Sequence, residues 1–239
     1  MLDEKEFENH IKDRIKASSN IMSEIILGGQ DGLVNTLGVL LGISAATSDI
    51  RIILAGALAA AFAESISMAA VAYTSKQTEY ENYLSELKRE REDIKKMPDI
   101  EKEEIRRIFK KWGVSDEDTE TMVNIISRNE DAWVEIMMAH ELELGKVSNE
   151  KPIKFAITVG LSALIGSFIP VMPIFIVTPN YLWIASLLVS ALVLLVIGYI
   201  KTKMTIGSPF KGALKLMLIG ILSAIAGYLI GYLIGGGVG

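Results

Sequence analysis

No cysteine occurs among the 239 residues, which excludes disulfides, thiolate metal sites and iron–sulfur clusters and leaves the redox compartment unmarked. Histidine is almost as scarce. A di-iron bundle site needs Glu-x-x-His on two helices, but His10 follows Phe7 and His140 follows Met137 at that spacing, so a ferroxidase of that design is not expected. There is no recognisable Ser/His/Asp arrangement, HExxH or nucleotide loop, so the chain does not read as an enzyme and implies no covalent cofactor. The opening segment, MLDEKEFENHIKDRIKASSN, is amphipathic and of mixed charge and lacks an apolar h-region. It is not read as a signal peptide, and the first membrane helix is expected to direct insertion itself.

Acidic residues also run out. None follows Glu150, and beyond Lys154 the only charges are Lys201, Lys203, Lys211 and Lys215. By contrast Lys76 to Lys151 holds 20 acidic and 14 basic residues. Half of the chain is hydrophobic and the mean hydropathy is +0.36, so the pattern is that of a membrane protein with one polar insertion. The net charge of −5 lies mostly in that insertion, which suits cations and argues against nucleic acid.

Five apolar segments are long enough to cross a bilayer: Ile25–Thr47, Ile52–Thr74, Ile153–Val177, Tyr181–Ile200 and Ala213–Val238. The fold expected is an all-α integral membrane protein, with five transmembrane helices and a cytoplasmic three-helix insertion between helices 2 and 3. Its parts are an N-terminal segment (1–20), helices 1 and 2 (21–75), the insertion (76–151) and helices 3 to 5 (152–239). Lys5, Lys12, Arg14 and Lys16 precede helix 1, and four lysines lie between helices 4 and 5. The outer turns carry only Arg51, so the N-terminus, insertion and 4–5 loop are assigned to the cytoplasm and the C-terminus to the opposite side. A prokaryotic plasma membrane and a vacuole-type membrane both fit.

Within the insertion, helical sequence runs from Lys76 to Lys96, breaks at Met97-Pro98 and resumes from Ile100 to Trp112, closed by Gly113. Ser115-Asp116 cap the next helix, and a last one is expected over Glu130–Leu144. No strong breaker separates helix 2 from the insertion's first helix, so one continuous rod is expected. The spacing Gly227-xxx-Gly231-xxx-Gly235, with Gly28, Gly32, Gly38 and Gly42 in helix 1, suits either tight packing within the bundle or a dimer seam.

Two carboxylates interrupt the first two spans. Counted from their cytoplasmic ends, Asp31 and Met68 both lie about 9 Å deep, and Asn35 and Glu64 about 15 Å deep. Asp31 and Asn35 share a face at i,i+4, as do Glu64 and Met68. An ionised carboxylate at a helix centre costs about 2.5–3.5 kcal/mol on insertion scales, so such groups face a cavity, pair, or handle ions and protons. No lysine or arginine is embedded to neutralise them, which leaves a cation or a proton. The bland alternative is a protonated carboxyl bonded to backbone or to Asn35. Met68 supplies a soft ligand that magnesium and calcium ignore but Fe(II), Co(II), Mn(II) and Zn(II) accept.

The insertion adds Glu90 with Asp93, and Glu101 with Glu104, each pair at i,i+3 on one helix face and able to hold one ion. Met137, Met138 and Glu141 follow in MMAHE. Spacing alone favours a solvated charged face over a site.

Four stretches then point further: QDGLVNTLGVLLG, ESISMAAVAYTSKQTEYE, ELKREREDIKKMPDIEKEEIRRIFKKWG and AWVEIMMAHELEL. Together, in this order, they resemble the vacuolar iron transporter family over about Asn20 to Gly239. The resemblance implies a homodimer in the lipid bilayer that exports Fe(II), and often Mn, Co or Zn, from the cytosol in exchange for protons. It implies that Asp31 and Met68 line the path at the dimer interface. It also implies that Glu90, Asp93, Glu101, Glu104, Met137, Met138 and Glu141 bind divalent metal in the insertion. Two departures stand out. The family commonly continues SMA-x-G-E, whereas here SMAAVA places Val71 and Ala72 at the last two positions, leaving Glu64 as the only acid of helix 2. Asp93 replaces a usual glutamate. A reading of a different class is a membrane-anchored metal-binding or sensing module without transport, against which the buried Asp31 and Glu64 argue.

Overall fold

The computed structural model describes residues 21–145, 151–205 and 207–235. The N-terminal segment 1–20, with His10 and the first four basic residues, and the C-terminal 236–239 lie outside the described residues. The described residues contain helices and no strand. In chain order these are α1 Ile21–Ala46, α2 Ile50–Lys96, α3 Pro98–Lys111, α4 Asp116–Ile126, α5 Glu130–His140, α6 Pro152–Val171, α7 Pro179–Met204 and α8 Pro209–Gly235. A 3₁₀ turn, Met172–Phe175, extends α6. Five helices (α1, α2, α6 with its extension, α7 and α8) are long and apolar enough to cross a membrane.

The chain divides into two compact units, one made of residues up to Tyr73 and from Pro152 onward, the other of Thr74–Lys151. The division falls inside α2, which is a single helix of 47 residues as the lack of a strong breaker predicts. The third span is shorter as an α-helix than expected. It stops at Val171 rather than Val177, because Pro173 has no N–H to continue the ladder and the chain tightens into a 3₁₀ turn.

In the first unit α1 lies between α6 and α8. Gly28 and Gly32 meet α6 at Val159 and Ala163, and a Cβ at Gly32 would overlap the Ala163 carbonyl. Further along, Gly38 and Gly42 meet Gly227 and Gly231 of α8, and Gly235 meets Ala46. The rising register shows α1 and α8 running parallel in backbone contact, driven by close van der Waals packing rather than by the hydrophobic effect. Of the two roles open to these glycines, the structure gives them packing within the bundle; they are not available to a second subunit. Ser65 Oγ donates to the Gly160 carbonyl at 2.7 Å, tying α2 to α6. Leu37, Leu40 and Leu41 form one apolar layer with Ile53, Ala57, Val171, Leu182 and Ala224, and Leu33 forms another with Leu194 and Leu216.

The second unit has a water-soluble type of core: Ile94, Ile105, Ile108, Phe109, Val123, Trp133, Val134, Met137 and Met138. Full burial of such a side chain contributes about 1.5–3 kcal/mol. The helix ends follow local chemistry. Pro98 starts α3, Gly113 takes φ +80° while the Val114 N–H bonds the Phe109 carbonyl at 3.1 Å, and Ser115 caps α4 through the Asp118 N–H. Asn129 Oδ1 caps α5 by accepting from the Asp131 and Ala132 amides. The last helix ends at His140, four residues before the expected Leu144. The Leu142 N–H turns back to Met137 and the Leu144 N–H to Met138, with Glu143 at φ 53°.

Candidate functional site

Two groups of polar side chains stand out, one in each unit. In the first, Asn35 Nδ2 donates to Asp31 Oδ2 at 3.4 Å across one turn of α1. The Glu64 carboxyl of α2 lies within hydrogen-bonding reach of both Asp31 and Asn35. The depth count from the sequence set Glu64 level with Asn35 and Asp31 level with Met68; the structure brings the Glu64 carboxyl to both Asp31 and Asn35. Asn35 is exposed, Asp31 and Glu64 are half-buried, and Met68, one turn beyond Glu64, is half-buried. Two carboxyls this close repel unless a cation or a proton lies between them. The amide of Asn35 can donate to a carboxylate or accept through its oxygen toward a cation.

In the second unit the break at Met97-Pro98 folds α3 back on α2, and α5 brings a third strand of chain alongside. One carboxylate oxygen from each of Glu90, Glu101 and Glu141 lies within 4.8 Å of the others. Glu90 and Glu101 are 7% and 5% exposed, whereas Glu141 is open to solvent. Glu104 lies within hydrogen-bonding reach of Glu101 and Glu141. Burial, then the neighbouring Glu90 and Glu104, pushes Glu101 up to about 8. Burial followed by the charges of Glu104 and Glu90 pushes Glu141 up to about 7. Glu90 is raised, chiefly by burial. Glu90 Oε1 and Glu101 Oε2 are buried without a hydrogen-bonding partner among the described residues. Buried oxygens without a partner are costly, and either a proton on one carboxyl or a cation among them would satisfy these.

The sequence spacing suggested two pairs, each holding an ion. The structure instead gathers one cluster from members of both pairs plus Glu141. Asp93 lies 3.6 Å from the Arg89 guanidinium and acts on Glu90 through its charge. Met137 and Met138 are 0% and 2% exposed and pack in the core. His140 stacks edge-on against Trp112, with ring centroids 4.8 Å apart.

Residues 22–232 match the VIT family. The chain belongs to that family. Relatives of this VIT-family chain include proteins named vacuolar iron transporter 1 from Oryza sativa subsp. japonica, 34% identical, and from Arabidopsis thaliana, 28% identical; both alignments cover 92% of this chain and 88% of the relative. A vacuolar iron transporter of Plasmodium falciparum is 28% identical over 95% of this chain and 85% of its own. These relatives are named as transporters and not as enzymes. With its five spans, this VIT-family member is an integral membrane protein.

The sequence reading of the VIT-family chain missed a set of ion pairs beside the carboxylate cluster. Arg91 reaches Glu130 at 3.1 Å and Asp131 at 2.7 Å, and Lys95 reaches Glu130 at 3.2 Å. They join the first turn of α5 to α2. Nothing in the spacing of these residues pairs them, because 39 residues separate Arg91 from Glu130.

Proposed function

We propose that this protein transports Fe(II), and related divalent ions such as Mn, Co and Zn, out of the cytosol in exchange for protons. It works as a homodimer with its N-terminus and its insertion in the cytoplasm. The observation that carries this reading is the Asp31–Asn35–Glu64 contact inside two membrane spans, where a cation and a proton compete for the same two carboxyls. Family membership and the names of the relatives support iron as the cargo. The exposed Asn35 in mid-span gives α1 a polar group that a second subunit would cover.

Metal reaches the Glu90–Glu101–Glu141 cluster first, with Glu104 and Asp93 adding negative charge and Met137 and Met138 lying on the helix that ends just before Glu141. It then passes to Asp31, Glu64 and Met68. Protonation of those carboxyls from an acidic far side releases it, since a proton and the metal use the same oxygens.

Asp31→Ala should abolish metal-driven flux in proteoliposomes while leaving the unfolding temperature near that of the wild type. Unchanged flux removes Asp31 from the mechanism. Metal binding without transmembrane flux in the wild-type protein would favour an anchored sensor.

A further inference from the structure

Among the described residues, five hydroxyl side chains are buried within the spans, and three of them have no bond to make. Ser162 Oγ donates to the Thr158 carbonyl at 2.6 Å, and Ser186 Oγ donates to the Pro170 carbonyl at 2.8 Å. Thr36 of α1, Ser167 of α6 and Ser190 of α7 are 0% exposed, and their oxygens have no hydrogen-bonding partner among the described residues. Less buried hydroxyls are bonded as well: Ser65 to Gly160, Thr202 to Gly198 and Ser223 to Val34.

The three lie at one level. The Ser167 oxygen is aimed at α1, where a Cβ on Gly32 would stand 2.6 Å from it, and Thr36 follows Gly32 by one turn on that face. α1 and α6 run parallel, with Gly28 meeting Val159 and Gly32 meeting Ala163, so the same register sets Thr36 against Ser167. α7 runs back along α6 from the Ser186–Pro170 bond, and one further turn brings Ser190 level with Gly166 and Ser167. Apolar layers close this level on both sides, one holding Leu33 and Leu194, the other Leu37 and Leu182. Pro170 adds a fourth polar group: it has no N–H, so the Gly166 carbonyl lacks its usual helical donor.

We propose that Thr36, Ser167 and Ser190 form a binding site for one internal water molecule, which ties α1, α6 and α7 together at mid-span. A buried water makes about three hydrogen bonds to groups that would otherwise have none, and bare hydroxyls in an apolar interior are costly. The lining selects water over an ion. All four polar groups are neutral, and Asp31 is turned to Glu64 on the α2 side of α1, so a cation here would lack a counter-charge. An apolar guest would leave the hydroxyls unbonded. The site is independent of the cargo proposed above, because it is read from the packing of three helices alone.

The test is a double-mutant cycle on the full chain in nanodiscs, reading the unfolding temperature of Thr36→Val, Ser167→Ala and the two together. Either substitution alone removes one partner of the water and should lower the unfolding temperature by about 2–4 °C. The pair should fall little further than the larger single effect, because the water is already lost. Ser162→Ala is the control: its hydroxyl is bonded within its own helix, so its effect should add in full to that of Thr36→Val. Full additivity between Thr36→Val and Ser167→Ala overturns the proposal, since each hydroxyl would then be bonded separately. An unchanged or raised temperature in the single variants also overturns it, as the outcome for hydroxyls with nothing between them. The proposal fails equally if sodium or potassium raises the wild-type value over choline and the double variant loses that rise, which would make the site one for a monovalent cation.

Discussion

Lowering the pH from 8 to 6 should weaken divalent-metal binding at the Glu90–Glu101–Glu141 cluster steeply. Glu101 is nearly fully buried and holds its proton up to about pH 8, so metal must displace that proton. The fraction of Glu101 ready to bind falls from about one half at pH 8 to about one hundredth at pH 6, which weakens apparent affinity about 50-fold through this one residue. Glu141, raised to about 7, acts in the same direction, but its exposure to solvent screens part of the effect. Stability of the metal-free protein runs in a related sense. The unfolded chain releases the Glu101 proton near pH 4.5 and the folded chain only near 8, so this group lowers stability as pH climbs between those values and adds no further loss above them. The assay is titration calorimetry with Mn(II) on the full chain carrying Asp31→Asn and Glu64→Gln, run in two buffers of different ionisation heat so that released protons are counted. At pH 7 about one proton should leave Glu101 for each metal bound. Affinity that stays flat between pH 6 and 8, or a slope unchanged by Glu101→Gln, would refute the reasoning.

Glu64→Gln should abolish proton-coupled flux if Glu64 replaces the carboxylate missing from helix 2, and Ala72→Glu in that background should restore part of it. Loss without rescue would leave Glu64 as the sole carboxylate partner of Asp31. Gly231→Val should drive a side chain into the backbone of α1 at Gly42, costing about 1–3 kcal/mol of stability and visibly lowering the unfolding temperature in detergent. An unshifted value would mean that α8 is free to move away from α1.

The five spans were legible because apolar runs and segregated charge leave few alternatives, and the helix ends at Pro98, Gly113 and Ser115 carry local chemistry that acts wherever it occurs. The end of α5 was not legible. It depends on Glu143 adopting a left-handed conformation, a choice that sequence reserves for glycine and that tertiary context imposes here. Helix 1's glycines announced close packing but not the partner, since any helix with a small face would serve. Likewise the i,i+3 carboxylate pairs marked the right helices, whereas their merging into one cluster depends on how α3 folds back, a distance relation between elements that no local spacing encodes. Arg91 and Glu130 are hidden for the same reason.

The glycine contacts of α1 bear on the candidate site in the spans. α1 is gripped on two sides by backbone, at Gly28 and Gly32 by α6 and at Gly38 and Gly42 by α8, so Asp31 and Asn35 belong to the stator of the molecule. Glu64 and Met68 ride on α2, whose span is only 17% buried against 44% for α1. The carboxyl pair therefore joins a residue gripped on two sides to one held beside the Ser65–Gly160 bond between α2 and α6. A shift of α2 along α6 would change the spacing of the two carboxyls while leaving the backbone contacts of α1 untouched.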